Sequence, residues 1–273
     1  MGPAGADGYH PLRSLMVALE GLEDTVTVAL APSGGRQVRC PGLDGAANLA
    51  WRALDALEAE AGRPLPAVVD IEKRIPSQAG LGGGSSDAAA VLLAADALHG
   101  LRLGADRLEA VGARVGADVP FFIRAGAQWA EGRGERLRPA CCPPFAALLV
   151  KPDAGLPTAD VYRAFDRLPA PPPGDGAGAD VPADAARLPG WVRNDLWPAA
   201  LALRPALGVT ARALAAAGAP AVLLCGSGTC MAGLFPDAAA ARSAAARLPA
   251  AAGAFRAVVR GAPAPRRPPL PAA

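Results

Sequence analysis

The residue types best suited to chemistry lie in one glycine-rich segment. Residues 76–90 hold four glycines, followed by two serines, an aspartate and three alanines. Glycine lets the backbone adopt positive φ and approach a ligand closely. The alanine-rich run predicts a helix whose free N–H groups face an anion, and we expect Ser85 or Ser86 to cap it. The segment therefore predicts a phosphate-binding loop, formed by Pro76, Ser77, Gln78, Ala79, Gly80, Leu81, Gly82, Gly83, Gly84, Ser85 and Ser86.

Three other glycine-rich loops do not fit this segment. A Walker loop ends in Lys-Ser or Lys-Thr, which is absent from residues 76–90. A Rossmann loop spaces its glycines differently and opens a parallel βαβ unit, and the protein-kinase loop joins two strands. The remaining alternative is a structural turn before a helix, but such a turn needs one or two glycines and does not need Ser-Ser-Asp.

A second candidate is the acid at position 118. Asp118 follows a predicted helix end at Gly116 and precedes Val-Pro-Phe-Phe, so its carboxyl would lie at the edge of an apolar pocket. Such a site raises a carboxyl pKa and keeps water out, which suits a general base. On these residues alone, a turn aspartate paired with an arginine remains the alternative.

Residues 80–89, Gly-Leu-Gly-Gly-Gly-Ser-Ser-Asp-Ala-Ala, resemble the central ATP motif of the GHMP kinase superfamily. Within it, the chain is most similar to the kinases that act on 4-diphosphocytidyl-2-C-methyl-D-erythritol (CDP-ME). The further segments that resemble those kinases, in the same order, are residues 7–10, 48–49, 116–122, 131–135, 157–158, 194–196 and 226–228. The resemblance therefore covers nearly the whole chain.

The resemblance implies both a fold and an activity. The fold is α+β, in the two-domain GHMP kinase arrangement: an N-terminal domain like the second domain of ribosomal protein S5, then a ferredoxin-like α/β sandwich. The activity is ATP-dependent phosphorylation of the 2-hydroxyl of CDP-ME, in the non-mevalonate isoprenoid pathway. Mg²⁺ would be bound mainly through ATP, with the Ser86 hydroxyl as a candidate ligand.

The resemblance also implies roles for single side chains. Asp118 matches the family's catalytic base. Tyr9 and Tyr162 match residues that stack on the cytosine, and His10 matches one that hydrogen-bonds to it; on sequence alone, Tyr162 would more often lie in a core. The implied substrate-binding residues are Tyr9, His10, Thr158, Tyr162, Gly226 and Ser227.

The start of the chain departs from the family pattern. In the family, a strand carrying Pro-Ala-Lys-x-Asn-Leu precedes Asp-Gly-Tyr-His, and its lysine assists the catalytic aspartate. Here only residues 1–6 precede Asp7, and neither Lys73 nor Lys151 matches that lysine by motif. We expect the natural chain to begin further upstream; the alternative is a truncated protein with weakened catalysis.

Composition excludes several classes of protein. The net charge of +2 and the lack of a basic block with interleaved aromatics argue against a nucleic-acid partner. The five cysteines form no Cys-x-x-Cys pair, and with two histidines they suggest no zinc site. We expect no signal peptide, and no apolar run in the sequence is long enough to span a membrane. We therefore expect a cytoplasmic protein, monomeric or homodimeric, with no membrane partner.

The elements that must position these residues alternate between strands and helices. A strand at 67–75 leads into the glycine loop, and helices are predicted at 48–61, 86–98, 105–115, 158–165, 195–217 and 237–248. Residues 121–123, 127–131, 145–150, 221–225, 231–235 and 254–259 are predicted strands. The predicted domains are 1–143 and 144–262, followed by a Pro-rich tail, 263–273; residues 169–190 are predicted to be a mobile loop.

Two other functions compete with the leading one. Another GHMP kinase, such as a homoserine kinase, would share the glycine loop, but an amino-acid alcohol has no base for Tyr9 and His10 to bind. A nucleotide-binding protein without kinase activity would share it too. Replacing Asp118 by Asn discriminates, because only an enzyme loses turnover.

Overall fold

The computed structural model describes residues 1–2, 5, 10–32, 34–43, 45–153, 155–169 and 180–264. Its strands are β1 (Leu12–Glu20), β2 (Thr25–Leu30), β3 (Arg36–Arg39), β4 (Ala67–Glu72), β5 (Ala127–Gly132), β6 (Arg136–Pro139), β7 (Ala146–Lys151), β8 (Ala221–Leu224), β9 (Met231–Phe235) and β10 (Phe255–Ala262). Within these ranges one sheet has the order β6-β5-β1-β10-β7-β9-β8, and a smaller one has the order β2-β4-β3. Only the β3–β4 pair among them is parallel.

The helices connect and cover these sheets. They are α1 (Leu49–Ala61), α2 (Gly83–Leu98), α3 (Gly104–Val115), α4 (Val119–Arg124), α5 (Thr158–Phe165), α6 (Leu188–Trp191), α7 (Trp197–Leu203), α8 (Ala206–Ala216) and α9 (Ala238–Arg247). Helix α1 shows how the sequence sets such bounds. The Asn48 side chain accepts a hydrogen bond from the Ala50 N–H at 2.9 Å, and Gly62 ends the helix with a φ of 65°.

The first hydrophobic core lies between the three-stranded sheet and helices α1 to α4. Its fully buried side chains include Leu54 and Leu57 of α1, Val69 of β4 and Leu92 of α2. Helix α2 packs against both α1 and α4. This packing fixes the direction in which the N-terminus of α2, and the glycine loop before it, must point.

The second half of the chain builds a ferredoxin-like sandwich. Strands β7 to β10 lie in the order β10-β7-β9-β8, with helices between β7 and β8 and helix α9 between β9 and β10. One face of this sheet packs against α5, α7, α8 and α9, with Leu148, Leu207 and Leu214 fully buried. The mixed helix-and-sheet fold expected from the sequence is therefore confirmed.

Two features join the halves of the chain. Strand β1 pairs with β5 on one side and with β10 on the other, so a single sheet passes through both halves. In addition, Ala79 of the glycine loop is buried in a cluster with Leu149, Cys230 and Val259, on the other face of the second-half sheet. The domain boundary at residue 143 stays a prediction.

One strand prediction is wrong. Residues 121–123 lie in helix α4, not in a strand. Pro120 occupies the first turn of that helix, where its missing N–H is not needed. Val119 and Ile123 belong to the first core, so α4 is held by burial despite its short length.

The helical run predicted for residues 195–217 is interrupted. It forms α7 and α8, separated at Arg204, whose φ of −141° and ψ of 82° are not helical. Pro205 follows directly, and the residue before a proline is driven out of the helical region by steric contact with the ring. The end of the predicted loop at 169–190 overlaps helix α6, while residues 170–179 and most of the tail lie outside the described residues.

No helix among the described residues is both long and apolar enough to cross a lipid bilayer.

Candidate active site

The segment that enters the glycine loop is held by a buried aspartate. Asp24, which precedes β2, accepts hydrogen bonds from the backbone N–H groups of Arg74 at 2.5 Å and Ile75 at 2.9 Å. Its side chain is 2% exposed. The turn between β4 and the loop is therefore fixed by a carboxylate from a different part of the sheet.

The glycine loop ends at the N-terminus of α2, as predicted, but the cap differs from the prediction. Gly82, with a φ of 70°, occupies the cap position, and neither Ser85 nor Ser86 caps the helix. The Ser86 hydroxyl instead donates to the Gly83 carbonyl at 2.8 Å. The helix begins early because Gly83 and Gly84 themselves adopt helical geometry. The N–H groups of this first turn have no acceptor within the helix, so they can meet an anion.

Two glycines of the loop are required by close contacts. A Cβ built on Gly80, which has a φ of 74°, would lie 1.9 Å from the carbonyl oxygen of Cys225. A Cβ on Gly82 would lie 2.8 Å from the ring of Phe122 in α4. The loop is thus pressed between the β8–β9 turn on one side and α4 on the other.

The β8–β9 turn is tied to the glycine loop by backbone hydrogen bonds. The N–H of Thr229 donates to the Gln78 carbonyl at 3.2 Å, and the N–H of Cys230 donates to the Ala79 carbonyl at 3.0 Å. The Asn194 amide supports the turn from behind, donating to the carbonyls of Leu224 at 2.8 Å and Gly226 at 2.7 Å.

The candidate base lies at the start of α4. Asp118 is at the N-cap position of that helix, and its side chain makes no capping hydrogen bond. A Cβ on Gly134, in the β5–β6 turn, would be 3.8 Å from Asp118 Oδ1. Asp118 is exposed as a residue, but the protein atoms around its carboxyl desolvate it, and this desolvation raises its pKa.

Tyr162 on α5 faces the same space. Burial raises the pKa of its hydroxyl, and the negative charge of Asp118 raises it further. The two side chains are therefore close enough to interact electrostatically, although 44 positions separate them in the sequence.

An aromatic cluster surrounds the predicted base-binding histidine. The ring of His10 lies 5.1 Å from that of Tyr162 and 5.7 Å from that of Phe165, measured between centroids. His10 is buried, and its Nε2 lies 2.5 Å from Asp166 Oδ1. Since Nε2 faces a carboxylate, Nδ1 is the ring nitrogen left for another partner. Tyr9 lies outside the described residues.

The last two predicted substrate residues meet each other. Thr158 begins α5, and its hydroxyl is 2.8 Å from that of Ser227 in the β8–β9 turn. Thr158 and Tyr162 are one helical turn apart, so their side chains share a face of α5. Gly226 packs on the glycine loop, because a Cβ on it would lie 2.9 Å from the Gly80 carbonyl oxygen.

These contacts form a ring around one cleft. The glycine loop packs against the β8–β9 turn and against Phe122 of α4, the turn contacts Thr158 of α5, and the charge of Asp118 raises the pKa of Tyr162 on the same helix. The structure thus brings the predicted loop, acid and aromatic residues together, with Tyr9 the one that is not described.

A charged cluster beside the loop was not foreseen. Lys73, at the end of β4, donates from Nζ to Asp24 Oδ2 and, at 2.7 Å, to Asp87 Oδ2. Burial raises the pKa of Asp87 to about 6, with Lys73 opposing that shift and the charge of Asp24 adding to it. Burial also disfavours charge on Lys73, but its hydrogen bonds to the two carboxylates outweigh this and raise its pKa.

The described side chains do not by themselves form a binding site for a metal cation such as Mg²⁺. Across the described ranges, no group of three or more His, Cys, Asp or Glu residues is placed to hold a metal ion. Hydroxyl and carboxylate oxygens, such as those of Ser86 and Asp118, are nevertheless the ligand type that Mg²⁺ accepts alongside nucleotide phosphates.

Comparison with known proteins gives a consistent result. Residues 48–126 match the family described as GHMP kinases N terminal domain. A 4-diphosphocytidyl-2-C-methyl-D-erythritol kinase from Anaeromyxobacter dehalogenans (strain 2CP-1) is 43% identical over 257 residues, covering 90% of this chain and 79% of that protein. A crystal structure of a 4-(cytidine 5'-diphospho)-2C-methyl-D-erythritol kinase superposes with a TM-score of 0.77 at 36% identity, covering 95% of this chain and 94% of that one. A homoserine kinase from Cytophaga hutchinsonii superposes with a TM-score of 0.74 at 18% identity, covering 90% and 88%, and is similar in fold alone.

Proposed function

Since this chain belongs to the family of 4-diphosphocytidyl-2-C-methyl-D-erythritol kinases, we propose that it transfers the γ-phosphoryl group of ATP to the 2-hydroxyl of CDP-ME. The observation that carries the proposal is the ring of contacts around the cleft. The N-terminus of α2 suits a phosphate, the aromatic cluster around His10 suits a base, and the charge of Asp118 acts on Tyr162 of that cluster, which supports a single site. A kinase for a nucleotide-linked alcohol needs these three parts together.

The glycine loop and the first turn of α2 bind the ATP phosphates in this proposal. Their backbone N–H groups and the positive end of the helix dipole offset the phosphate charge. The Ser86 hydroxyl would hold Mg²⁺ bound with ATP, and the cation would share the phosphate charge. Gly80 and Gly82 let the loop pack directly against the Cys225 carbonyl and the Phe122 ring, which holds its backbone in position for the phosphates.

Asp118 accepts the proton of the substrate hydroxyl. As the bond from the hydroxyl oxygen to the γ-phosphorus forms, the bond from that phosphorus to the bridging oxygen of ADP breaks, and the proton passes to the carboxylate. Its raised pKa makes the carboxylate a better proton acceptor than an ordinary surface aspartate. Water exclusion by the ligands would strengthen this effect.

The aromatic cluster binds the cytosine. Tyr162, with Tyr9, supplies ring faces for stacking, and His10 offers Nδ1 to the edge of the base. Asp166 fixes which nitrogen that is, through the 2.5 Å contact with Nε2. Thr158, Gly226 and Ser227 line the path between this pocket and the glycine loop.

Transfer of phosphate from ATP to CDP-ME, followed by product mass, tests the proposal. We expect a CDP-ME monophosphate and ADP in equal amounts, and no product from homoserine. A second preparation carries the family's Pro-Ala-Lys-x-Asn-Leu strand before residue 1, because that lysine is expected to assist Asp118. Phosphorylation of homoserine instead would favour another GHMP kinase activity. ATP binding without transfer in either preparation would favour a protein that only binds nucleotide.

A further inference from the structure

Lys73 lies where the glycine loop, α2 and the three-stranded sheet meet. A Cβ on Gly83, the first residue of α2, would be 3.3 Å from Lys73 Nζ. The ammonium is therefore directly beside the helical turn whose N–H groups face the cleft. Its side chain is 19% exposed, so most of it is held inside the protein.

The two acids that hold Lys73 come from different parts of the fold. Asp24 precedes β2, and Asp87 lies in the second turn of α2. Their side chains are 2% and 5% exposed, respectively. Because Lys73 donates to both, it connects the phosphate-facing helix to the strand end that Asp24 already fixes through Arg74 and Ile75.

The cluster of Lys73, Asp24 and Asp87 has more acidic than basic groups. Two buried carboxylates face one ammonium, and Asp87 Oδ1 is buried without a hydrogen-bond partner among the residues that the structure describes. A buried acceptor without a donor costs free energy, and a buried negative charge near the phosphate-facing turn opposes anion binding. Lys73 offsets that charge while it holds the helix in place.

We infer that Lys73 is a positioning residue of the nucleotide site: by bridging Asp24 and Asp87 it orients the first turn of α2 and offsets negative charge in the region beneath the phosphates. The inference rests on the proposed use of this cleft for ATP, but not on CDP-ME as the acceptor. A side chain outside the glycine motif thus contributes to phosphate binding together with the backbone N–H groups of the loop.

Calorimetric binding of MgATP to the purified full chain tests the inference apart from phosphate transfer. We expect Lys73→Met to raise the dissociation constant about ten- to hundred-fold, the usual effect of losing one charge-assisted contact. Arg242→Met removes the same charge from the exposed face of α9 and should leave the dissociation constant unchanged. Folding of each variant is checked by circular dichroism before titration.

A double variant separates positioning from simple loss of folding. In Lys73→Met, two buried acids remain without a cation, so Asp87→Asn added to it should recover part of the lost affinity. If Lys73 merely stabilised the fold, the folded fraction of Lys73→Met would bind ATP like the unmodified protein, and the inference would be overturned. The inference would also fail if Arg242→Met weakened MgATP binding as much as Lys73→Met does.

Discussion

Asp118 combines the two properties that a proton acceptor needs. It is reachable from the cleft, and its pKa is raised by the protein around it. A surface aspartate has the first property but not the second, and a buried core acid would have only the second. The sequence indicated this residue because an acid that precedes Val-Pro-Phe-Phe is expected at the edge of an apolar cluster.

Replacing Asp118 by Asn should lower kcat by about two to four orders of magnitude, because general-base catalysis contributes that much. The dissociation constant for MgATP should change much less than kcat, since the amide is isosteric with the carboxyl group. Steady-state kinetics and calorimetry on the same preparation measure both quantities. In the unmodified enzyme, kcat should fall as the pH drops through the raised pKa of Asp118, because the base must be ionised.

Asp106→Asn is the matched control for this change. Asp106 is an acid of α3 whose side chain is 94% exposed and ion-paired with Arg124. We expect full activity in that variant. Full activity in Asp118→Asn as well would remove Asp118 from the mechanism.

The residues that the sequence did not reveal are those with distant partners. Asp166 meets His10 across 156 positions, and Asp24 meets Lys73 across 49. Neither acid belongs to a motif, and a lone aspartate most often lies on the surface. Their roles depend on which elements the fold brings together, so no local pattern could identify them.

At the scale of the element, the glycine loop is defined by what packs against it. The β8–β9 turn approaches so closely that Gly80 and Gly226 contact each other through backbone atoms alone. The sequence predicted both turns, because glycine clusters between a strand and the next element are strong turn signals. It did not predict that the two turns would meet, because that contact depends on how the two halves of the chain pack together.

Replacing Gly80 by Ala should weaken MgATP binding at least about ten-fold and lower the melting temperature, because the new methyl group overlaps the Cys225 carbonyl. The loop can relieve that overlap only by moving away from the β8–β9 turn. Calorimetry and thermal unfolding measure the two effects.

Gly34→Ala separates this overlap from backbone strain. Gly34 has the same φ, 74°, as Gly80, but a Cβ on it would meet nothing within 4 Å. Both variants bear the cost of a left-handed alanine, and only Gly80→Ala bears the overlap. Equal effects in the two variants would show that strain alone, and not the contact between turns, limits the loop.

Helix α4 shows where a local sequence pattern predicts the wrong secondary structure. Residues 121–123 are apolar with a β-like composition, which predicts a strand, yet they lie in a single short helix. Tertiary burial decided the outcome, since Val119 and Ile123 both enter the first core. A short apolar run is too short to distinguish the periodicity of a helix from that of a strand. The longer helices α1, α2 and α5, in contrast, were predicted to within a few residues.

At the scale of the whole molecule, the separate cores follow from the sequence, and the single sheet does not. Alternating strands and amphipathic helices predicted layered cores in each half, as observed. Strand β1 was not predicted, and it is this strand that joins β5 to β10. A strand at the centre of a sheet is specified by its partners, and those partners lie more than a hundred residues away.

The Asp87 carboxyl also makes the stability of the whole fold depend on pH. Its pKa is about 6 in the folded protein, against 3.8 for an ordinary aspartate. A raised carboxyl pKa means that the folded state binds the proton more tightly, so the ionised group costs stability. The cost is complete above about pH 6, shrinks as the pH falls towards 3.8, and disappears below that value.

Asp87→Asn should therefore stabilise the protein at pH 7.5, by up to about 3 kcal/mol given roughly 1.4 kcal/mol per pKa unit. The amide oxygen can still accept from Lys73, while the buried charge is gone. Urea unfolding at pH 4, 5, 6 and 7.5 measures the difference between the two proteins, which should narrow below pH 6 and vanish near pH 4. A difference that stayed constant over this range would mean that the substitution acts through packing. Stability gained in this way, together with tighter ATP binding, would show that Asp87 costs the unmodified fold free energy that Lys73 only partly recovers.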